Sequence, residues 1–403
     1  MDRLLKSYIP IYILIIGIQG FPIILQVLSY FILTKSEFAN IRSIESFIAI
    51  SLMYVVWGAP TLAIKLAALN KKYIYSLALK LVTIPLIIIT ISAPIYFVAN
   101  SLYFYLHSNL DILLVTIFLV FASSNRIFSA LIQGSASANI FVTRITASYL
   151  ICLSIFLFSI YHFKNAWWLY CRITCELIFV IFFLNGLHRF ENRTENKDKA
   201  SSEQLIVLLK NGFAINSALL VRSIIDNMPL LILSKYSLTH NEVANFGAAT
   251  LYLTFPALVC GIYSQKKMPE IIQANEKRYL NKVDLFKIRK TFLALGVSIT
   301  IVFIVILFIA DVFIKNLLIG VVPAMLLALL MPIKQLSLFY GMLFIANDKF
   351  KATVIQNLIE LSALIISLLL IGKSTTSHII IAIYIASIIG LLYCFIFGNR
   401  SIV

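Results

Sequence analysis

Acidic residues are scarce in this chain. Its 403 residues include 17 Asp and Glu against 33 Lys and Arg, and charges of both signs make up only 12%. A soluble domain keeps roughly a quarter of its residues charged, so half that share leaves too little polar surface to cover a globule. With 61% hydrophobic residues and a mean hydropathy of +0.96, the chain suits lipid rather than water. Cysteine is sparse too. Cys152, Cys171, Cys175, Cys260 and Cys394 all fall in apolar stretches. Cys171 and Cys175 are four apart, but no thiol or imidazole pair elsewhere completes a metal site, so they read as bland buried thiols. Period-two alternation is missing, which excludes a β-barrel. The net charge of +16 sits in a few short loops instead of spreading over one face. That pattern points to membrane topology and away from nucleic acid.

About 20 apolar residues are needed to cross the hydrocarbon as a helix. Twelve such runs occur, near 8–33, 45–69, 73–99, 111–134, 144–163, 166–187, 205–234, 242–264, 288–310, 317–346, 350–371 and 377–398. They predict an all-α polytopic membrane protein, the first run being a retained span and not a signal peptide core. Basic residues alternate between the two sides. The loops after spans 2, 6 and 8 hold Lys65, Lys71 and Lys72, then Arg189, Arg193 and Lys197, then Lys266, Lys267 and Lys277. No loop on the other side holds more than two, the richest having Lys35 and Arg42. The positive-inside rule then predicts that both termini are cytoplasmic. Every external loop is short, which excludes a periplasmic domain or a large lid.

Two echoes suggest an internal duplication. Ser36-Glu37-Phe38-Ala39-Asn40 follows span 1, and Asn241-Glu242-Val243-Ala244-Asn245 follows span 7. Ala138-Asn139 follows span 4, and Ala346-Asn347 follows span 10. The expected organisation is two six-helix lobes, 1–187 and 205–403, joined by a cytoplasmic linker at 188–204. An even number of spans per lobe relates them by a pseudo-twofold axis along the membrane normal.

Charges inside the spans are few and expensive, each costing about 2.5–3.5 kcal/mol at mid-bilayer when uncompensated. They are Arg126, Arg172, Glu176, Arg222, Asp226, Lys334 and Glu360. Arg172 with Glu176, and Arg222 with Asp226, are i,i+4 pairs able to neutralise themselves on one helix. The first reads as a structural pair. The second sits on a polar stripe with Asn216, Ser223 and Asn227, and Pro229 frees the carbonyl of Ile225, so it reads as a hinge at a site facing water or protein. Arg126, in a run with Ser123, Ser124, Asn125 and Ser129, has no nearby acid in sequence. Lys334 follows Pro332 and lacks one as well. Gln356, Asn357 and Glu360 share one side of span 11. Gly20 and Pro22 in span 1 form a second candidate hinge, or an ordinary proline kink. Trp167 and Trp168 read as interfacial anchors.

The order and spacing of these elements resemble the multidrug/oligosaccharidyl-lipid/polysaccharide exporter superfamily. The strongest stretch is Leu208-Leu209-Lys210-Asn211-Gly212-Phe213, Ile224-Ile225-Asp226-Asn227, Glu242-Val243-Ala244-Asn245-Phe246 and Met268-Pro269-Glu270-Ile271. Trp57-Gly58-Ala59-Pro60 and Leu131-Ile132-Gln133-Gly134 fit the same pattern. Within that superfamily the chain looks most like the Wzx-type flippases. The resemblance implies a non-enzymatic transporter in a bacterial inner membrane. It would move an undecaprenyl-pyrophosphate-linked oligosaccharide, such as an O-antigen or capsule repeat unit, to the outer leaflet by alternating access. A glycan polymerase would be a partner. Arg126, Arg222 and Lys334, with Lys65 and Lys266 at the cytoplasmic mouth, would hold the pyrophosphate. Asp226, Gln356 and Glu360 would take a coupling H⁺ or Na⁺, with no other cofactor implied. The chain departs from the pattern at Ala39 and Ala244, where glycine is common. It also lacks the acid that many multidrug exporters carry in span 1, which disfavours a drug exporter of the same fold. A lipid-linked peptidoglycan precursor flippase commonly has more spans, and a membrane glycan polymerase usually has a large external loop.

Overall fold

The computed structural model describes residues 21–60, 62, 63, 67, 74–103, 109–134, 138–163, 168–191, 203–237, 239–276, 282–313, 319–346 and 349–400. Among them the regular structure is entirely helical. The helices are α1 (Phe21–Ile32), α2 (Lys35–Val56), α3 (Ile74–Tyr103), α4 (Asn109–Gly134), α5 (Ala138–Phe163), α6 (Trp168–Glu191), α7 (Glu203–Tyr236), α8 (His240–Glu276), α9 (Lys282–Phe313), α10 (Val321–Ala328), α11 (Met331–Ala346), α12 (Phe350–Ile371) and α13 (Thr376–Arg400). Among the described residues nine helices are long and apolar enough to cross a membrane, or ten if the bent pair α10–α11 is one span, and Phe21–Ile32 and Leu77–Ser92 are shorter apolar stretches. Apolar side chains such as Phe313 (82% exposed) and Leu370 (80%) stand outward on these helices, the arrangement expected where lipid is the solvent.

The chain divides into two compact units, Met1–Asn216 and Ser217–Val403, with the division inside α7. In unit 1, α4 packs on α2, α3 and α6, and α6 also packs on α3 and α5. Its core is built from Leu25, Leu81, Phe128, Leu131, Phe156 and Phe183, with a second cluster of Leu52, Val55, Phe118 and Leu119. In unit 2, α11 lies against α8, α9, α12 and α13. A run of rings, Tyr263–Phe292–Phe339–Tyr340–Phe395, with centroids 5.3–5.6 Å apart, fills that centre.

Local chemistry explains the helix ends. The second apolar run was expected from residue 45, but α2 starts ten residues earlier. Thr34 closes a capping box with Glu37, whose carboxylate accepts the Thr34 N–H at 3.0 Å, while the Thr34 hydroxyl receives the Glu37 N–H. A polar first turn is thus made helical by its cap, which apolar periodicity alone does not register. The helix ends where Trp57 enters the left-handed region (φ 46°) ahead of Gly58 (φ 70°). The glutamate of the second sequence echo acts differently. Glu242 caps another helix: its carboxylate accepts the Thr376 N–H at 2.7 Å, and its carbonyl accepts the Thr376 hydroxyl at 3.2 Å. That places negative charge at the N-terminus of α13.

The tenth run is one bent element. α10 and α11 meet at 44° across Leu329 and Leu330. Pro332 has no N–H to give the carbonyl of Ala328, four residues back. The Thr300 hydroxyl of α9 shares its proton between that carbonyl at 3.1 Å and the Gly296 carbonyl of its own helix at 2.8 Å, and the Tyr384 hydroxyl of α13 donates to the carbonyl of Leu326. Gly296 lets α9 approach this closely, since a Cβ there would stand 2.8 Å from Pro332 Cα.

Candidate functional site

Each unit holds a polar cluster among its apolar helices. In unit 1 the centre is Glu45, the middle of α2. One carboxylate oxygen accepts Trp168 Nε1 and Arg172 Nε, both at 3.1 Å, and the other accepts Gln26 Nε2 at 3.3 Å. Gln26 in turn accepts from Arg42 Nη1. Arg172 is 3% exposed, lies over the ring of Phe118 at 5.1 Å and reaches Glu176 at 3.5 Å. Asn125 ties α4 to α6 by donating to the Glu176 carboxylate at 2.7 Å and its carbonyl at 2.8 Å.

Two expectations change here. Arg172 and Glu176 are not a self-contained pair on one helix, because the shorter contact of Arg172 is to Glu45 on α2. A partner more than a hundred residues away cannot be read from i,i+4 spacing. Trp168 is not an interfacial anchor: it is 2% exposed and donates inward to Glu45. Trp167 lies outside the described residues. Arg126 sits beside this cluster, half-buried. Its Nη1 is 3.7 Å from the Met53 sulfur, and it has no carboxylate within 4 Å among the described residues.

The unit 2 cluster gathers three helices at mid-span. Asp226 is the central residue of Asn216–Tyr236, Glu360 lies at the middle of Lys351–Ile371, and Lys334 follows the α10–α11 break. Arg222 joins them. Its Nε and Nη2 donate to the two oxygens of Asp226 at 3.1 and 3.0 Å, a bidentate fork. Its Nη1 donates to Glu360 at 3.1 and 3.2 Å. Lys334 Nζ stands 3.4 Å from Asp226 Oδ1. Burial divides the quartet. Glu360 is 3% exposed, whereas Arg222, Asp226 and Lys334 are 29, 42 and 38% exposed. Charged groups open at mid-span are tolerated only where they meet water or protein.

Small residues make room for the quartet. Gly390 of α13 faces Glu360, and a Cβ there would come within 3.1 Å of its carboxylate. Asn227 donates to the carbonyl of Ser223 at 2.9 Å, and Asn357 to that of Ala218 at 2.9 Å. Gln356 is buried with its side-chain oxygen unpartnered among the described residues.

The structure therefore brings Arg222, Asp226, Lys334 and Glu360 together, with Gln356 on the same helix as Glu360. α7 remains helical through Pro229. Pro22 lies on α1, and Gly20 and Lys65 lie outside the described residues. Lys266 is on α8, with its side chain likewise outside them. Sequence reasoning missed Glu45 and Arg42, which flank the expected start of span 2 and so were not counted as intramembrane charges. It also missed that Arg126 and Lys334 are 208 residues apart, the spacing that separates Asn139 from Asn347. At that spacing one cation stands on α4 and one on α11.

No family model and no curated protein matches the chain. Solved structures do. An inward-facing multidrug resistance MATE family transporter of the MOP superfamily superposes with a TM-score of 0.72 at 14% identity, over 96% of this chain and 98% of that one. An outward-facing structure of such a transporter gives 0.67 at 14% identity, over 99% and 95%. A MATE protein in the straight conformation gives 0.66 at 13% identity, over 99% and 95%. The chain is a multi-pass, all-helical membrane protein with the fold of the MATE transporters.

Proposed function

We propose that this chain is a transporter working by alternating access, and that its cargo is an anionic lipid-linked oligosaccharide of the undecaprenyl-pyrophosphate type. It would operate in a bacterial inner membrane with both termini cytoplasmic. The observation that carries the cargo reading is that Arg222 and Lys334 stand together at mid-span, 29 and 38% exposed, where open charges are tolerated only facing water or protein. A diphosphate headgroup suits an arginine fork and a lysine point charge. The fold supports transport in general, because its solved examples include inward- and outward-facing states. No reaction chemistry is assigned to any residue.

The test is export of surface glycan in cells that depend on this chain. Arg222→Ala should abolish export at unchanged protein level, and Arg222→Lys should keep part of it. Full export by an accumulated Arg222→Ala protein would remove Arg222 from the cargo path. A drug exporter of the same fold would instead give resistance to cationic compounds and leave glycan export unaffected.

A further inference from the structure

We infer that Arg222 and Lys334 form a seat for a diphosphate, and that Asp226 is the anion occupying it until the cargo displaces it. This rests on the anionic-cargo reading and adds a division of labour between two carboxylates. Glu360 is the fixed one. It is buried against Gly390 and holds Arg222 through Nη1 alone. Asp226 is the exchangeable one. It is the most exposed member of the quartet, and it takes the other edge of the same guanidinium together with Lys334. A phosphate oxygen pair can use that edge in the same bidentate manner. Asp226 is on the same helix as Arg222, so a rotamer change suffices to swing it out, with no backbone movement. Glu360 would then still aim the guanidinium, and Lys334, whose ion pair is with Asp226, would be released toward the same opening.

Asp226 and Glu360 are consequently not laid out as paired ligands for a Na⁺. An arginine already stands between them as a tethered cation. In this scheme Glu360 is a positioning residue, and Asp226 lowers the apparent affinity for an incoming anion by the fraction of time it fills the seat.

Binding of inorganic pyrophosphate and of geranyl pyrophosphate to the purified full-length protein in nanodiscs tests this. Asp226→Asn, which keeps the shape and removes the charge, should tighten binding by about tenfold or more. Asp226→Ser should give the same gain if the asparagine variant accumulates poorly. Lys334→Met and Glu360→Gln should each weaken binding, the latter with a loss of discrimination between pyrophosphate and monophosphate as the guanidinium loses its aim. Tightening with both probes supports the inference and places recognition in the anion itself. Tightening with geranyl pyrophosphate alone supports it with the lipid included. If the parent binds and Arg222→Ala does not, while both Asp226 variants bind no better than the parent, the inference is overturned and the anionic cargo stands. If neither the parent nor the Asp226 variants bind either diphosphate, both fall.

Discussion

Glu45 and Arg172 show what a charge needs in order to persist inside this protein. Both are nearly inaccessible, and Glu45 spends its two oxygens on three donors from α1 and α6. Removing one partner of such a pair strands the other, at about 3–5 kcal/mol. Glu45→Ala should therefore lower the thermal midpoint of the purified protein sharply and reduce its accumulation. Glu45→Gln, which retains an acceptor, should be milder. Equal melting of Glu45→Ala and the parent would show that Arg172 finds sufficient compensation in Glu176 and Phe118. At this scale the sequence was half legible. Arg222, Asp226, Lys334 and Glu360 stand out because charge is rare in apolar runs. Their mutual contacts do not, because Glu360 is 138 residues from Arg222, and only tertiary packing closes that distance.

At the scale of elements, apolar run length located the helices well and their ends poorly. The helix starting at Lys35 begins on polar residues, ten positions before the apolar run expected from 45. A capping box sets that start, and it leaves no apolar signature. The α10–α11 break is also invisible to hydropathy, since both sides of it are apolar. It survives because Thr300 and Tyr384 cover carbonyls that the bend exposes. Thr300→Val should leave the Ala328 carbonyl unsatisfied, costing about 1–3 kcal/mol. Pro332→Ala supplies an N–H that can reach that carbonyl, so the double variant should recover part of the loss. Thermal unfolding of the parent, both single variants and the double variant gives the coupling. Strict additivity would mean that Thr300 does not serve the break.

For the whole molecule, the alternation of basic loops predicts that positions 72, 197 and 277 face the cytoplasm and that positions 107, 235 and 373 face outward. Single cysteines there, in a background lacking the native five, can be probed with an impermeant thiol reagent in intact cells. The native thiols are all buried in helices, so their removal should disturb labelling little. Reaction at position 197 from outside would reverse the orientation. The unit 2 quartet has one more consequence. Its two cations and two carboxylates sum to zero, and they are tied to one another by contacts of 3.0–3.4 Å. A transmembrane voltage does about 2.3 kcal/mol of work per 100 mV on each elementary charge that crosses. On a quartet with no net charge, carried through that field as one body without rotation, it does no net work.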